Sequence, residues 1–439
     1  MKRRAFLNGL ALTAVSAGAG FRLPLANAAE YEGKLFAFVQ ADGGWDPTSF
    51  CDPKANTLGE RVINHWAERD EIRQAGNIPY APFANNETFF EKYHSRMLVI
   101  NGVDAQTNSH TVGVVHNWSG HNAEGYPTLA SLLASQLGPA LPMSYVSFGG
   151  YSETGGLTRY TRLHNPEFLR SVAYPRDELS PYFDPYFSEE AWHAMATHRE
   201  ARAKRLADAG GLLLGEARNL AFYQSAMASS DTMKAFADAI PSGELLEQPA
   251  EARRGNDVFR SELRRQAQLA VLAFKTGVAV SSDLYLGGFD THVRNDEGQE
   301  WLLGNLTDSV DFLWDYAEVH GVADRMVVVI GSDFGRTNFY NSDDGKDHWP
   351  IGSYVVMEKN QPWTNRVVGE TDELHFAKKI NPATLERDDA NGTIVYPKHV
   401  HKALRRYLGI EFSAGALRFP FSNTEDFEFF SASVEKESA

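Results

Sequence analysis

The chain has 439 residues, with 42 Lys+Arg against 57 Asp+Glu, a formal net charge of −15, and a single cysteine. So acidic a balance argues against nucleic acid or an anionic membrane as partner, and the lone Cys51, expected to be a small packed residue, excludes an intrachain disulfide. The length suits one large α/β domain with insertions, or two domains.

Residues 1–28 read as a leader, not as part of the fold. Lys2-Arg3-Arg4 precedes the apolar stretch Leu10 to Ala19, and Ala26-Asn27-Ala28 has the A-x-A form of a cleavage site. Paired arginines followed by Phe6-Leu7 point to the twin-arginine export machinery. The mature chain is then expected in the periplasm or secreted. The leader's apolar stretch is too short to span a bilayer, and no later run approaches the roughly twenty apolar residues a spanning helix needs.

Leu35 to Val39 is a continuous apolar run of the kind buried on both faces of a parallel sheet, and it runs into Asp42-Gly43-Gly44-Trp45-Asp46. Thr57 to Ala75 and Asn86 to His94 read as helices. A second strand, Met97 to Ile100, leads through Asp104 to Asn108-Ser109-His110. Ser109 sits at a helix start and has two readings there. It is an N-cap that satisfies a free backbone N–H, or a nucleophile helped by the helix dipole. Thr128 to Leu137 reads as a helix and Met143 to Phe148 as a strand, and the chain is then irregular to about 187. From about 187 to 275 it is mainly helical, which we read as an insertion covering part of the sheet and not as an independent domain.

The run Val278 to Leu286 ends in Gly287-Gly288 and then Asp290-Thr291-His292. Gln299 to His320 is an amphipathic helix that returns the chain to a fourth buried strand, Met326 to Ile330, as a βαβ unit requires. Asp333, Gly335-Arg336 and Asp347-His348 follow. Gly352 to Met357 is a further strand, Thr371 to Gly392 a polar exposed stretch, and His399 and His401 are structural or surface residues on a C-terminal helix. Ligands of open α/β sheets gather beyond the carboxyl ends of the strands, so the Asp, Ser and His residues closing these four runs can meet at one place.

These motifs together resemble a bacterial export family, the domain of unknown function 1501, within the alkaline-phosphatase-like or sulfatase-like superfamily. The resemblance rests on Gly43-Gly44-Trp45-Asp46, Asn108-Ser109-His110, Gly288-Phe289-Asp290-Thr291-His292, Ser332-Asp333-Phe334-Gly335-Arg336-Thr337 and Gly345-Lys346-Asp347-His348. It implies a central, mostly parallel sheet with helices on both faces, a Ser109 nucleophile, and one or two divalent ions (Zn, Mn, Mg or Ca). Asp290, His292 and His348 are similar to one metal site of the superfamily. Asp333, Ser109 and Asp46, or else Asp42, are similar to the other. Phe334 stands where phosphatases carry a His, and Arg336 is expected to offer positive charge to a bound anion. His110 belongs with the catalytic candidates.

The function these residues imply is an exported metal-dependent hydrolase of small phosphate or sulfate esters, or of a sulfated or phosphorylated polymer. The alternative is a non-catalytic envelope or surface protein on the same fold that binds a polysaccharide or a partner protein.

Overall fold

A computed structural model describes residues 31–163, 166–174, 187–241 and 257–432. The leader over 1–28 lies outside the described residues. The central sheet is formed by β1 (Leu35–Ala41), β2 (Met97–Asp104), β3 (Tyr145–Ser147), β4 (Thr161–Arg162), β5 (Ser281–Leu286), β6 (Met326–Ser332), β7 (Ile351–Met357) and β8 (Arg366–Val368). Their spatial order is β8-β2-β7-β6-β1-β5-β3-β4. Every neighbouring pair is parallel except the two made by β7, which runs antiparallel to both β2 and β6. Because β7 is reversed, β2, β6, β1 and β5 still point the same way, so their carboxyl ends share one edge.

The apolar runs are continuous because both faces of the sheet are covered. Successive side chains alternate across the sheet: Leu35, Ala37, Val39, Val328 and Ile330 join one core, and Phe36, Phe38, Val327 and Val329 the other. The described helices that place the site are α1 (Asn86–Tyr93), α2 (His110–Ser119), α3 (Leu129–Leu137), α4 (Asp257–Lys275), α5 (Asn295–Val319) and α6 (Pro397–Tyr407). Helices α4 and α5 fill the first core through Ala267, Ala270, Phe274, Leu303, Leu306 and Trp314. On the second core, α3 and α6 contribute Leu132, Leu133, Val400 and Leu404. No described helix is long and apolar enough to cross a membrane.

Two expectations change. Thr57 to Ala75 is not a helix: it holds a single 3-10 turn, Trp66–Glu68, and then the strand Arg73–Ala75, which pairs with Ile78–Tyr80. Asn56 accepts from the backbone of Ile63 and Asn64, and Asn64 donates back to the Lys54 carbonyl, so side chains take over bonds a helix would need. The second concerns the exposed stretch Thr371 to Gly392. It contains the wholly buried His375 and Ile380, the latter bridged to Arg387 and Thr393. The region 187–275 shows the helices Glu189–Asp208, Leu214–Ala228 and Ser230–Ala239 before α4.

Candidate metal centre

Three imidazoles and a carboxylate meet at the carboxyl edge, delivered by three strand ends. After β5 the chain turns at Gly288 and brings Asp290 and His292. After β2 it reaches His110, the first residue of α2. After β6, a short antiparallel ribbon pairs Gly335–Arg336 with His348–Trp349 and returns His348 to the edge. Close approach needs Gly43: its φ is +113°, and a Cβ there would lie 2.6 Å from the Asp290 amide nitrogen.

Each imidazole is oriented through its Nδ1. That of His110 lies 2.5 Å from Asp333 Oδ2, that of His292 2.8 Å from Asp347 Oδ1, and that of His348 2.7 Å from the Asn108 carbonyl. All three partners are oxygens that accept, so each Nδ1 carries a proton and donates it; in a neutral imidazole so oriented, Nε2 is the lone-pair nitrogen. These nitrogens converge. Asp290 Oδ1 is 3.0 Å from His292 Nε2, 3.1 Å from His348 Nε2 and 3.4 Å from His110 Nε2, and the Nε2 atoms of His292 and His348 are 2.9 Å apart. His110 Nε2 is buried and has no hydrogen-bond partner. Arg336 Nη2 donates to Asp290 Oδ1 at 2.7 Å, and the three Nε2 atoms lie around that same oxygen. A tetrahedral ion with bonds of about 2.0–2.1 Å would space its ligands by about 3.3 Å, close to the distances of Asp290 Oδ1 from the three Nε2 atoms. His110, Asp290 and His348 offer ligand atoms all within 4.8 Å of one another.

The acids around the cluster are held as anions or screened by the chain itself. Burial alone would raise the Asp290 carboxyl, but the hydrogen bond and charge of Arg336 bring it down to about 2. The His110 imidazole is raised, first by its bond to Asp333 and against its own burial. The bond from His292 holds Asp347 below the usual carboxylate range. Asp333 is buried, and its Oδ1 accepts from the amides of Gly43 at 3.0 Å and Gly44 at 2.6 Å and from Ser332 Oγ at 3.0 Å.

The nine sequence candidates therefore separate. Asp290, His292 and His348 come together, and His110, a catalytic candidate from sequence, stands with them as a fourth donor. Asp333 stands one shell further out, holding His110. Asp46 is not brought to the cluster. Its carboxylate is fully buried against Lys346 Nζ at 2.7 Å and accepts from Thr48 and Asn295, so an ammonium already neutralises it. Asp42 accepts from Tyr285 Oη at 2.8 Å, and burial pushes its carboxyl up. Arg336 is wholly buried rather than open to an anion. It donates to the carbonyls of Gly43, Gly44 and Lys346 and to Asp290 Oδ1. Ser109 is exposed between Asn108 and His110, and its hydroxyl makes no capping bond although it occupies the N-cap position.

Sequence reasoning missed three supporting groups: Asp347, the Asn108 carbonyl and Lys346. Asp347 and Lys346 lie inside the Gly-Lys-Asp-His motif, which was the available signal. A backbone carbonyl leaves none.

An open, mostly parallel α/β sheet with a His-rich donor cluster on its carboxyl edge defines the class of protein. The chain belongs to the family described as Protein of unknown function (DUF1501), whose model matches residues 38–403. No curated protein matches it. Among solved structures it is similar to Ps i-CgsB in complex with k-i-k-neocarrahexaose, at 7% identity and a TM-score of 0.41, covering 91% of this chain and 76% of that one. The PsFucS1 sulfatase from Pseudoalteromonas sp. matches at 9% identity and a TM-score of 0.40, covering 96% and 75%. A mutant TAB5 alkaline phosphatase with Mg bound matches at 10% identity and a TM-score of 0.33, covering 76% and 95%.

Proposed function

We propose that this protein is an exported hydrolase of phosphate or sulfate esters that depends on a divalent metal and uses Ser109 as its nucleophile. One observation carries the reading: three imidazoles, each with its Nδ1 proton committed to an oxygen, aim their free Nε2 atoms at one carboxylate oxygen. His110, Asp290, His292 and His348 would hold the ion. Bound there, it would supply positive charge to polarise the ester and favour the alkoxide of a nearby hydroxyl. A set rich in imidazole suits a transition ion better than Mg or Ca.

The chain's own part in the reaction is to supply the nucleophile and hold it in place. Ser109 lies next to His110 and follows Asn108, whose carbonyl fixes His348, so the hydroxyl belongs to the backbone segment that supports the donors. The N-terminal end of α2 favours negative charge developing at that hydroxyl. Ser109 Oγ would bond to the phosphorus or sulfur as the ester oxygen departs with a proton. Water would then cleave the seryl ester and restore the hydroxyl.

The test is turnover of aryl phosphates and aryl sulfates by protein folded without chelator, with metal content measured in parallel. The expected result is a bound divalent ion and hydrolysis that falls at least 100-fold in Ser109→Ala at unchanged metal content. Protein that binds neither metal nor ester would overturn the reading and leave the binding-protein alternative.

A further inference from the structure

We infer that the site takes a single divalent ion and is matched to esters carrying one negative charge rather than two; this rests on the hydrolase reading above. The basis is where the chain has put its own cations. Arg336 and Lys346 are the two cationic side chains built into the floor of the centre, and both are 0% exposed. Neither can reach a substrate. Arg336 bonds three carbonyls and Asp290 Oδ1. Lys346 Nζ fills an oxygen cage made by Asp46 Oδ2 at 2.7 Å, Asn64 Oδ1 at 2.9 Å and Thr48 Oγ1 at 3.2 Å.

The acids that could hold a second ion are each engaged. The Lys346 ammonium sits on Asp46 where a cation would bind. Asp333 has Oδ1 on two backbone amides and Oδ2 on His110. Asp42 is bonded to Tyr285, whose ring packs over Gly149 and Gly150; a Cβ at either glycine would come within 3.0–3.3 Å of that ring. At the carboxyl edge, His110 Nε2 is buried without a hydrogen-bond partner, beside Asp290 and His348.

The charge balance follows. Arg336 cancels Asp290 and Lys346 cancels Asp46, which leaves Asp333 and Asp347 as anions, with Asp42 adding only to the negative side. One divalent ion brings such a centre to neutrality at best, with no surplus of positive charge to repay desolvation of a dianion. A monoanion, whether a sulfate monoester or a phosphate diester, meets less repulsion from the surrounding carboxylates.

The experiment uses the full mature chain and its Ser109→Ala form, so that binding is read without turnover. Native mass spectrometry after loading with Zn or Mn counts ions. Calorimetry at pH 8 compares p-nitrophenyl sulfate and bis-p-nitrophenyl phosphate, each with one charge, with p-nitrophenyl phosphate, which carries two. We expect one ion per chain and at least tenfold tighter binding of one or both monoanions; which of them binds separates a sulfate-ester site from a phosphodiester site. Two ions per chain, or tighter binding of the dianion, overturns this inference and leaves the hydrolase reading standing. No ion and no binding of any ester overturns both.

Discussion

At the scale of single residues, the proposed metal centre rests on groups outside its donor set. Asp347 and Asp333 fix imidazole orientation by accepting Nδ1 protons. Partners of this kind set metal affinity by about 10–100-fold. Asp347→Ala should lower affinity for Zn or Co by that factor in a chelator competition while leaving the fold intact, because Asp347 is largely exposed. Lys346 should behave in the opposite way. Its loss in Lys346→Met strands the fully buried Asp46 carboxylate, and breaking a buried pair from one side costs about 3–5 kcal/mol. The expected readout is a lower denaturant midpoint with an unchanged slope. Residue identity at both positions was visible in the Gly-Lys-Asp-His motif, but their roles were not, since Asp46 lies 300 positions from its lysine.

At the scale of elements, the strand ends were legible and the loop geometry was not. Continuous apolar runs with nearby glycines marked β1, β2 and β6, because a strand covered on both faces has no polar alternation to hide it, while β5, Ser281–Leu286, buries Ser281, Ser282 and Asp283 as well. The turn after β1 is more exacting. Gly43 adopts a φ that side chains avoid and lies against the Asp290 loop. Gly43→Ala should therefore displace Asp290 and weaken metal binding more than it lowers stability, measured by titrating the same variant with Co and with urea. Helix α5 carries weight by packing alone: Leu306 is 0% exposed in the core, and Leu306→Ala should cost about 2–5 kcal/mol in equilibrium unfolding without changing ion affinity. The misread stretch Thr57 to Ala75 has ordinary helix-forming composition, and tertiary bonds through Asn56 and Asn64 overrode it.

At the scale of the whole molecule, stability should fall on the acid side for a reason separate from the metal centre. Burial keeps His116 and His375 neutral down to about 4 and His401 down to about 3. In the unfolded chain a histidine takes its proton near pH 6.5. The folded values are the lower ones, so the unfolded state binds protons first as the pH drops. The contribution of these residues is fully present above about pH 6.5 and is lost between there and their folded values, at about 1.4 kcal/mol per pH unit for each group titrating alone. Urea midpoints of chelator-treated protein should be flat from pH 8 to 7 and fall steeply from pH 6.5 to 4.5. A midpoint that stays level across that range would contradict burial of these rings in the neutral form.

The sequence by itself determined that this is an open α/β protein with acids and histidines at its strand ends, because two-sided burial writes the strands as apolar runs and glycine marks where each must turn. Only the tertiary structure decided which of those polar residues share a centre. Asp290, His292 and His348 meet His110 because a reversed strand and a short ribbon carry them to one edge. Asp46, equally well placed in sequence, was claimed by a lysine from the far end of the chain. Pairing of that kind depends on distances through space that no local spacing of residues encodes.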